Sequence, residues 1–345
     1  MTREILPVIK LEGSPEQIGL AHGQILRDRI HDCFAFYTRQ LFKNPNFDFE
    51  KHGRLYLEAI GNFSPAFETE IRALARGAGM EPWQIAVLNA RSEIFLQASA
   101  EFIHQCTSLY FEEQKLLGQT WDWMSSCEDF MVLLDITLEN GLRILTLSEA
   151  GIIGKIGFNS KGLGVCLNIL FGKKPVDGVP IHILLRSVLE SQSLEEARRT
   201  LNQASFGCYS NMLIGDASGG WFDYEFAGKS LKEAFYSSKP PAHTNHYLAS
   251  GEMNEDTPHL DNSVKRFDKA RQLSGLCEEQ TVEAMKKILT DPQGGEDAIC
   301  KRHTPFFEGL EHGTICSLVM DLPKREMHIT HGSPYHHNFI KHAMN

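Results

Sequence analysis

Near residue 106 the chain changes texture, and that change limits the folds open to it. Before it, apolar residues recur at helical spacing. Ser14-Pro15-Glu16-Gln17 reads as a helix start: a cap residue, proline at the first helical position, and glutamine where a capping box wants it. Ile18, Ala21, Ile25, Ile30, Phe34, Tyr37 and Leu41 follow close to helical spacing. Ser64-Pro65 with Glu68, Ile71, Leu74 and Ala75 predicts another helix, and Pro82 with Trp83, Val87, Leu88, Ile94 and Phe95 a further one. From 106 the chain reads as short strands, at 106–111 and 116–123. Runs at 130–138 and 143–147 flank Glu139-Asn140-Gly141, a strong hairpin signal, and runs at 152–158 and 163–169 flank a second turn. Helices return at 181–191 and 193–204, the latter with the capping box Ser193-Leu194-Glu195-Glu196. Strands at 211–215 and 220–226, helices near 263–276 and 281–289, and strands at 314–321 and 326–330 complete the chain.

Helices, strands, helices, strands is not the regular alternation of a parallel α/β fold. The order predicts an α+β architecture of antiparallel sheets with helices on their outer faces. A length of 345 residues allows one large domain or two moderate ones. There are no repeats or obvious linkers, and the charged stretch 251–262 is the expected long surface loop. Net charge is −10, from 34 Lys and Arg against 44 Asp and Glu, which argues against nucleic-acid and polybasic membrane binding. No stretch approaches the roughly 20 apolar residues of a membrane span. The segment Met1-Thr2-Arg3-Glu4-Ile5-Leu6-Pro7 has no signal-peptide apolar run, so the expected compartment is the cytoplasm. The eight cysteines, with no C-x-x-C pair, are expected to be free thiols.

Several segments could carry chemistry. In Gln105-Cys106-Thr107-Ser108, a cysteine and two hydroxyl residues open the first strand of the second region. Alone, such a cysteine is a small buried hydrophobe or a nucleophile. Asp122, between Trp121 and Trp123, is either solvent-facing or a buried carboxylate held for a cation. The glycines of 149–168 do not spell a phosphate loop, and a hairpin follows where a helix would be needed. The fifteen histidines include His328, His331, His336, His337 and His342, but no metal-ligand spacing accompanies them, and a solvated terminal segment is expected. His243-Thr244-Asn245-His246 is a compact polar cluster. A papain-like protease is excluded, since Cys106 lacks that family's helix-opening context.

Taken together and in order, these motifs resemble the isopenicillin N acyltransferase family, acyltransferases and amidohydrolases of the N-terminal nucleophile (Ntn) superfamily. The resemblance spans Gly13-x-Pro15-x-x-Ile18-Gly19-x-x-His22-Gly23, Leu88-Asn89-x-Arg91-x-Glu93, Cys106-Thr107 and Gln119-x-Trp121-Asp122. It continues through Glu149-Ala150-Gly151-Ile152-Ile153-Gly154-Lys155, Gly157-Phe158-Asn159-Ser160, His243-Thr244-Asn245-His246 and Ser263-x-x-Arg266, and ends in the strands at 314–321 and 325–334.

The resemblance implies a four-layer αββα sandwich and a precursor that cuts itself between Gln105 and Cys106. Residues 1–105 would become a helical α chain that stays bound, and 106–345 a β chain opening with its nucleophile. Cys106 would attack, Asn245 would donate to the oxyanion, and Asn168 would be a second polar contact. Asp122 would hold or orient the Cys106 amine, and Arg266 would complete the charge cluster by pairing with a carboxylate. The chemistry needs no histidine: an α-amine of pKa about 7.7–8.0 can take the proton of its own thiol, of pKa about 8.5. Substrates would be small amides or acyl thioesters, with acyl-CoA as a possible co-substrate and neither cofactor nor metal. Gln105 departs from the glycine that the family's best-known members carry there; glycine reaches strained backbone more cheaply. The alternative is an uncleaved, non-catalytic ligand-binding or scaffold protein of the same fold.

Overall fold

Ser14 accepts a hydrogen bond from the Gln17 N–H, and the Gln17 side chain accepts one from the Ser14 N–H, closing the capping box of the first helix. In the computed structural model, residues 6–42, 44–98, 105–235, 240–306 and 309–344 are described. The N-terminal region holds strand β1 (Val8–Gly13) and helices α1 (Pro15–Ile25), α2 (Arg27–Ala35), α3 (Phe49–Phe63), α4 (Pro65–Ala78), α5 (Pro82–Asn89) and α6 (Arg91–Ala98). Past α2 the chain widens into a π-helical stretch, Phe36–Leu41. Strands follow: β2 (Thr107–Phe111), β3 (Leu116–Met124), β4 (Met131–Leu138), β5 (Arg143–Glu149), β6 (Ile156–Asn159) and β7 (Leu163–Ile169). Helices α7 (Ile181–Glu190) and α8 (Leu194–Gln203) lead to β8 (Cys208–Asp216), β9 (Trp221–Gly228), β10 (Ser230–Glu233) and β11 (Ala242–His243). Last come α9 (Leu260–Gly275), α10 (Val282–Leu289), β12 (Thr304–Pro305), β13 (Glu311–Asp321), β14 (Glu326–Thr330) and β15 (Phe339–Ala343).

The strands form two sheets. One runs β1-β4-β5-β6-β7-β8-β9-β10; the other runs β11-β2-β3-β13-β14-β15, with β12 also on β13. They face each other. Gln119 of β3 reaches across to both backbone groups of Leu167 in β7, at 2.5 and 2.8 Å. The Tyr110 ring of β2 lies over Gly215 of β8, where a Cβ would meet it at 2.7 Å. On the outside of the second sheet, Leu109, Phe111, Leu116 and Val319 pack under Phe267 of α9 and Met285 and Leu289 of α10. On the outside of the first, α7 covers β6 and β7, and α8 covers β8. The N-terminal helices extend this layer through α5, which packs on α7. This is the four-layer αββα sandwich.

Three expectations need correction. The N-terminal segment is not wholly helical: β1 joins the first sheet, pairing parallel with β4 from Val8–Leu133 to Gly13–Leu138, so that sheet is not purely antiparallel. The 105/106 boundary therefore does not divide the fold into separate bodies. The stretch 251–262 is only partly a loop, since α9 already begins at Leu260. The C-terminal histidines are not on a loose tail: His342 lies on β15 and its ring stacks on His331.

Helices α1 and α4 cross where glycines allow close contact. A Cβ at Gly19 would lie 2.1 Å from the Glu70 carbonyl oxygen, and one at Gly23 would lie 2.2 Å from that of Leu74. Gly19→Ala must therefore spread two backbones. It is expected to cost about 1–3 kcal/mol, seen as a lower midpoint in thermal unfolding. An unchanged midpoint would show that the crossing relaxes freely.

Candidate active site

Cys106 stands immediately before β2, where the chain enters the layer between the sheets, and is 5% exposed. The next residue, Thr107, pairs with Thr120 of β3, and its N–H donates to the Thr120 hydroxyl at 3.0 Å. The thiol points toward the Asp122 carbonyl, Sγ to O 3.9 Å. Burial, with the Asp122 carboxylate nearby, pushes the thiol pKa up to about 11.

Arg266 on α9 organises this corner. It is fully buried. Nη1 donates to the Cys106 carbonyl at 2.8 Å and to the Thr107 hydroxyl at 3.0 Å. Nη2 donates to Asn245 Oδ1, and Nε to Asn262 Oδ1, both at 2.9 Å. The expected pairing with a carboxylate is not seen: these acceptors are neutral, and Asp122 acts on Arg266 only through space. The reason is geometric, since the planar guanidinium is shared among a strand terminus, a loop and its own helix.

Asn245 is fixed by two elements. Its backbone N–H donates to Ser263 Oγ at 2.8 Å. Because Arg266 takes Oδ1, the amide must present Nδ2 on its other side. One Nδ2 hydrogen goes to the Ile169 carbonyl at 2.9 Å, which leaves a second for another acceptor. His243 and His246 hold this loop, His243 against Glu225 at 3.0 Å and His246 against Ser263 at 2.9 Å.

Asp122 lies on β3 beside Thr314 of β13, whose hydroxyl donates to Oδ1 at 2.7 Å. Oδ2 is buried and has no hydrogen-bond partner among the described residues. Burial pushes this carboxyl up, and burial pulls the nearby Lys301 ammonium down. Asn168 is turned elsewhere: Oδ1 accepts from Ser108 at 2.7 Å, and Nδ2 donates to the His243 carbonyl at 3.4 Å. The structure thus brings Cys106, Asn245 and Arg266 into one hydrogen-bonded corner with Asp122 beside it, and gives Asn168 to the inter-sheet contact.

A buried ionic group next to Cys106 was not singled out for chemistry from the sequence. Glu149 Oε2 accepts from Arg91 Nη2 at 2.6 Å and from Lys155 Nζ at 3.1 Å, and Oε1 accepts from Tyr37, which the π-helical stretch delivers. Burial alone would push the Glu149 carboxyl up; Arg91 and Lys155 overcome it and pull it down to about 2. The turn that follows Glu149 is tied to the N-terminal helices. Gly151 N–H donates to His22 Nε2 at 3.2 Å, and Asn89 donates to the Gly151 carbonyl at 2.9 Å. A lysine inside an apolar, glycine-rich run was the available signal for Lys155.

Two spaces adjoin Gln105 and Cys106. A cavity of about 20 Å³ is lined by Cys106, Asp122, Trp121, Arg91 and Lys155. A larger one of about 550 Å³ is lined by Gln105, Asn262, Lys301, Phe306, His312 and Tyr335. All eight cysteines are free thiols. Among the described residues no group of three or more His, Cys, Asp or Glu side chains is placed to hold a metal, and no helix is long and apolar enough to cross a membrane.

The family model described as acyl-coenzyme A:6-aminopenicillanic acid acyl-transferase matches residues 111–336. The chain is also 30% identical over 338 residues to the acyl-coenzyme A:6-aminopenicillanic-acid-acyltransferase 40 kDa form of Emericella nidulans, covering 94% of this chain and 92% of that one. The chain belongs to the acyl-coenzyme A:6-aminopenicillanic acid acyl-transferase family. The resemblance read from its motifs is borne out. As a member of that family it is an enzyme of amide hydrolysis or acyl transfer. A more distant relative is protein dcd1A of Dictyostelium discoideum, 24% identical over 247 residues, covering 61% of this chain and 56% of that one. Among solved structures, penicillin V acylase from Agrobacterium tumefaciens aligns with a TM-score of 0.42 at 14% identity, over 69% of this chain and 86% of that one.

Proposed function

We propose that this acyl-transferase-family chain is a precursor that cuts itself between Gln105 and Cys106, and that the freed Cys106 then carries the acyl group as a thioester. The observation that carries the reading is the Arg266 bridge, which ties the residue that would attack to the amide that would stabilise the attack. After the cut, the Cys106 amine takes the thiol proton, and the thiolate adds to an amide or thioester carbonyl. Asn245 Nδ2 offers its second hydrogen to the oxygen that becomes negative. The amine, now an ammonium, would be held by Asp122, whose Oδ2 has no hydrogen-bond partner among the described residues, and returns its proton to the leaving group. Water or an amine then takes the acyl group from sulfur. Every proton and charge in this sequence is supplied by the chain, so the reading requires no cofactor. The substrates are small molecules, and the cytoplasm is the compartment we assign.

The relative's name places acyl-coenzyme A thioesters and the amine of 6-aminopenicillanic acid first among the compounds to try. They would enter from the 550 Å³ cavity at Gln105. Residues 1–105 stay in place because β1 is hydrogen-bonded into the first sheet and Arg91 is paired with buried Glu149. Intact mass after denaturation tests the reading. Dividing 38.9 kDa in the ratio 105:240 gives roughly 12 and 27 kDa, which should co-elute until denatured. A single 38.9 kDa species in fully incubated protein would favour the uncleaved, non-catalytic alternative.

Gln105 gives a separate expectation. Glycine at this position eases the peptide into the bent geometry that attack requires. Gln105→Gly is expected to mature at least as fast as the parent. Its turnover per cut molecule should be unchanged, because residue 105 leaves the nucleophile once the bond breaks. The check is a gel time course followed by turnover on the cut fraction. A large fall in that turnover would place Gln105 in the substrate site.

A further inference from the structure

Self-cleavage raises a question that catalysis by the mature enzyme does not. Before the cut, the Cys106 nitrogen is part of a peptide bond, and its lone pair is delocalised into the carbonyl and cannot serve as a base. The thiol is buried and its pKa is raised, so some other group must take the proton for the first attack.

The 20 Å³ cavity beside Cys106 has room for about one water molecule. Lys155 lines it too, 2% exposed, with Nζ 2.9 Å from the centre of the Trp121 ring. Glu149 carries one negative charge, and two cations, Arg91 and Lys155, share it. Arg91 makes the closer, two-nitrogen contact, at 2.6 and 2.8 Å, and by itself neutralises the carboxylate. That leaves Lys155 as a surplus positive charge in a dry site, the cation that loses its proton most readily.

Resting on the self-cleavage reading above, we propose that Lys155 is the base of maturation: it takes the Cys106 thiol proton, directly or through one water, so that the sulfur can attack the Gln105 carbonyl. The electrons and protons balance without an added reagent. Neutral Nζ accepts the thiol proton, the thiolate forms the S–C bond, and the Gln105–Cys106 C–N bond breaks. The proton passes from the Lys155 ammonium to the departing nitrogen, which becomes the Cys106 amine. Water then hydrolyses the thioester, giving the Gln105 carboxylate and the free thiol. The proton-transfer product is a thiolate beside an ammonium, and their mutual attraction offsets part of the cost of separating charge in a buried site.

Charge changes at most of the other facing groups do not compete; Asp122, raised by burial to about 6, and Lys301 beside it, lowered by burial to about 7, titrate in the same range as Lys155. The groups that face Lys155 are Glu149, Arg91, His182, the thiols Cys33, Cys106, Cys127 and Cys316, and Asp122 across the shared cavity. Glu149 stays ionised, Arg91 stays cationic, burial holds His182 neutral, and burial raises the thiols. Burial pulls Lys155 down to about 7, against the pull of Glu149.

The test follows cleavage of freshly translated full-length precursor by gel. In the parent, the cleavage rate should rise with pH and level off above about 7. A rate that keeps climbing through pH 9 would track the thiol itself and overturn the assignment. Lys155→Arg keeps the ion pair but holds its proton, and is expected to cut at least about a hundredfold more slowly. Lys155→Ala should be equally slow and recover about tenfold with methylamine or ethylamine. Cleavage of either variant within about threefold of the parent would sink the inference while leaving self-cleavage intact. A rate that climbs through pH 9 is read on the unaltered chain and overturns the inference even where a variant fails to fold; a plateau above about 7 supports it only together with the Lys155 variants, because Asp122 and Lys301 titrate in the same range. A parent that never cuts overturns the self-cleavage reading, and this inference with it.

Discussion

Cys106→Ala is expected to remain one chain of 38.9 kDa and to show neither amidase nor acyltransferase activity. Both losses share one cause, since the same sulfur is proposed to attack first the Gln105 carbonyl and later the substrate. The substitution is structurally mild. It removes one sulfur beside a cavity of about 20 Å³, while the Cys106 carbonyl that Arg266 holds belongs to the backbone and survives. Circular dichroism and gel filtration should therefore match the parent. Cys106→Ser is the graded version: its hydroxyl is a poorer nucleophile, so slow cutting and weak turnover are expected. If Cys106→Ala chains still separate into two pieces, the cut comes from elsewhere and self-processing is wrong.

Asn245→Ala should lose at least about a hundredfold in turnover, the effect seen when an oxyanion donor is removed from other acyl-transfer enzymes, or roughly 3 kcal/mol. Arg266 complicates the reading, because Asn245→Ala also takes away the acceptor of Nη2. Asn245→Asp separates the two effects. The carboxylate still accepts from Arg266 but has no N–H to give. Equal loss in both variants, measured on fully cut protein, identifies the missing donor as the cause. Full turnover in Asn245→Asp would reduce Asn245 to an anchor for Arg266.

The parts of this fold that were legible in the sequence are those set by neighbours a few residues apart. Ser14 and Gln17 close their capping box. Gly141 takes the positive φ, 80°, that the hairpin at Asn140-Gly141 needs. Ser193 caps α8 as expected, although the Glu196 side chain reaches the Gln192 N–H instead of completing the box. Strand β1 was missed for the opposite reason. Its partner β4 is more than a hundred residues away, and as an edge strand it buries only Leu11 while Lys10 and Glu12 face outward. β15, another edge strand, buries no residue fully. At the site, the family resemblance pointed to Cys106, Asn245, Asp122 and Arg266, but it did not foretell what Arg266 would hold. A carbonyl and an amide leave no mark in a pattern of charges. Lys155 was hidden because a lysine among glycines and isoleucines reads as one more strand residue until Glu149 is seen beneath it.

The way His22, Asn89 and Arg91 grip the Glu149–Gly151 turn would bear on the lifetime of the proposed cut enzyme. Folding of the uncut precursor is a one-chain event, at a rate independent of concentration. If the bond before Cys106 is cut as proposed, the instructions for that wall of the site reside in a separate molecule. Denatured mature enzyme would then have to recover by a meeting of two chains, second order and slowed by dilution, while aggregation competes. The cut protein should therefore behave as a molecule folded once: durable while assembled, and recovering poorly after denaturation where its precursor recovers well.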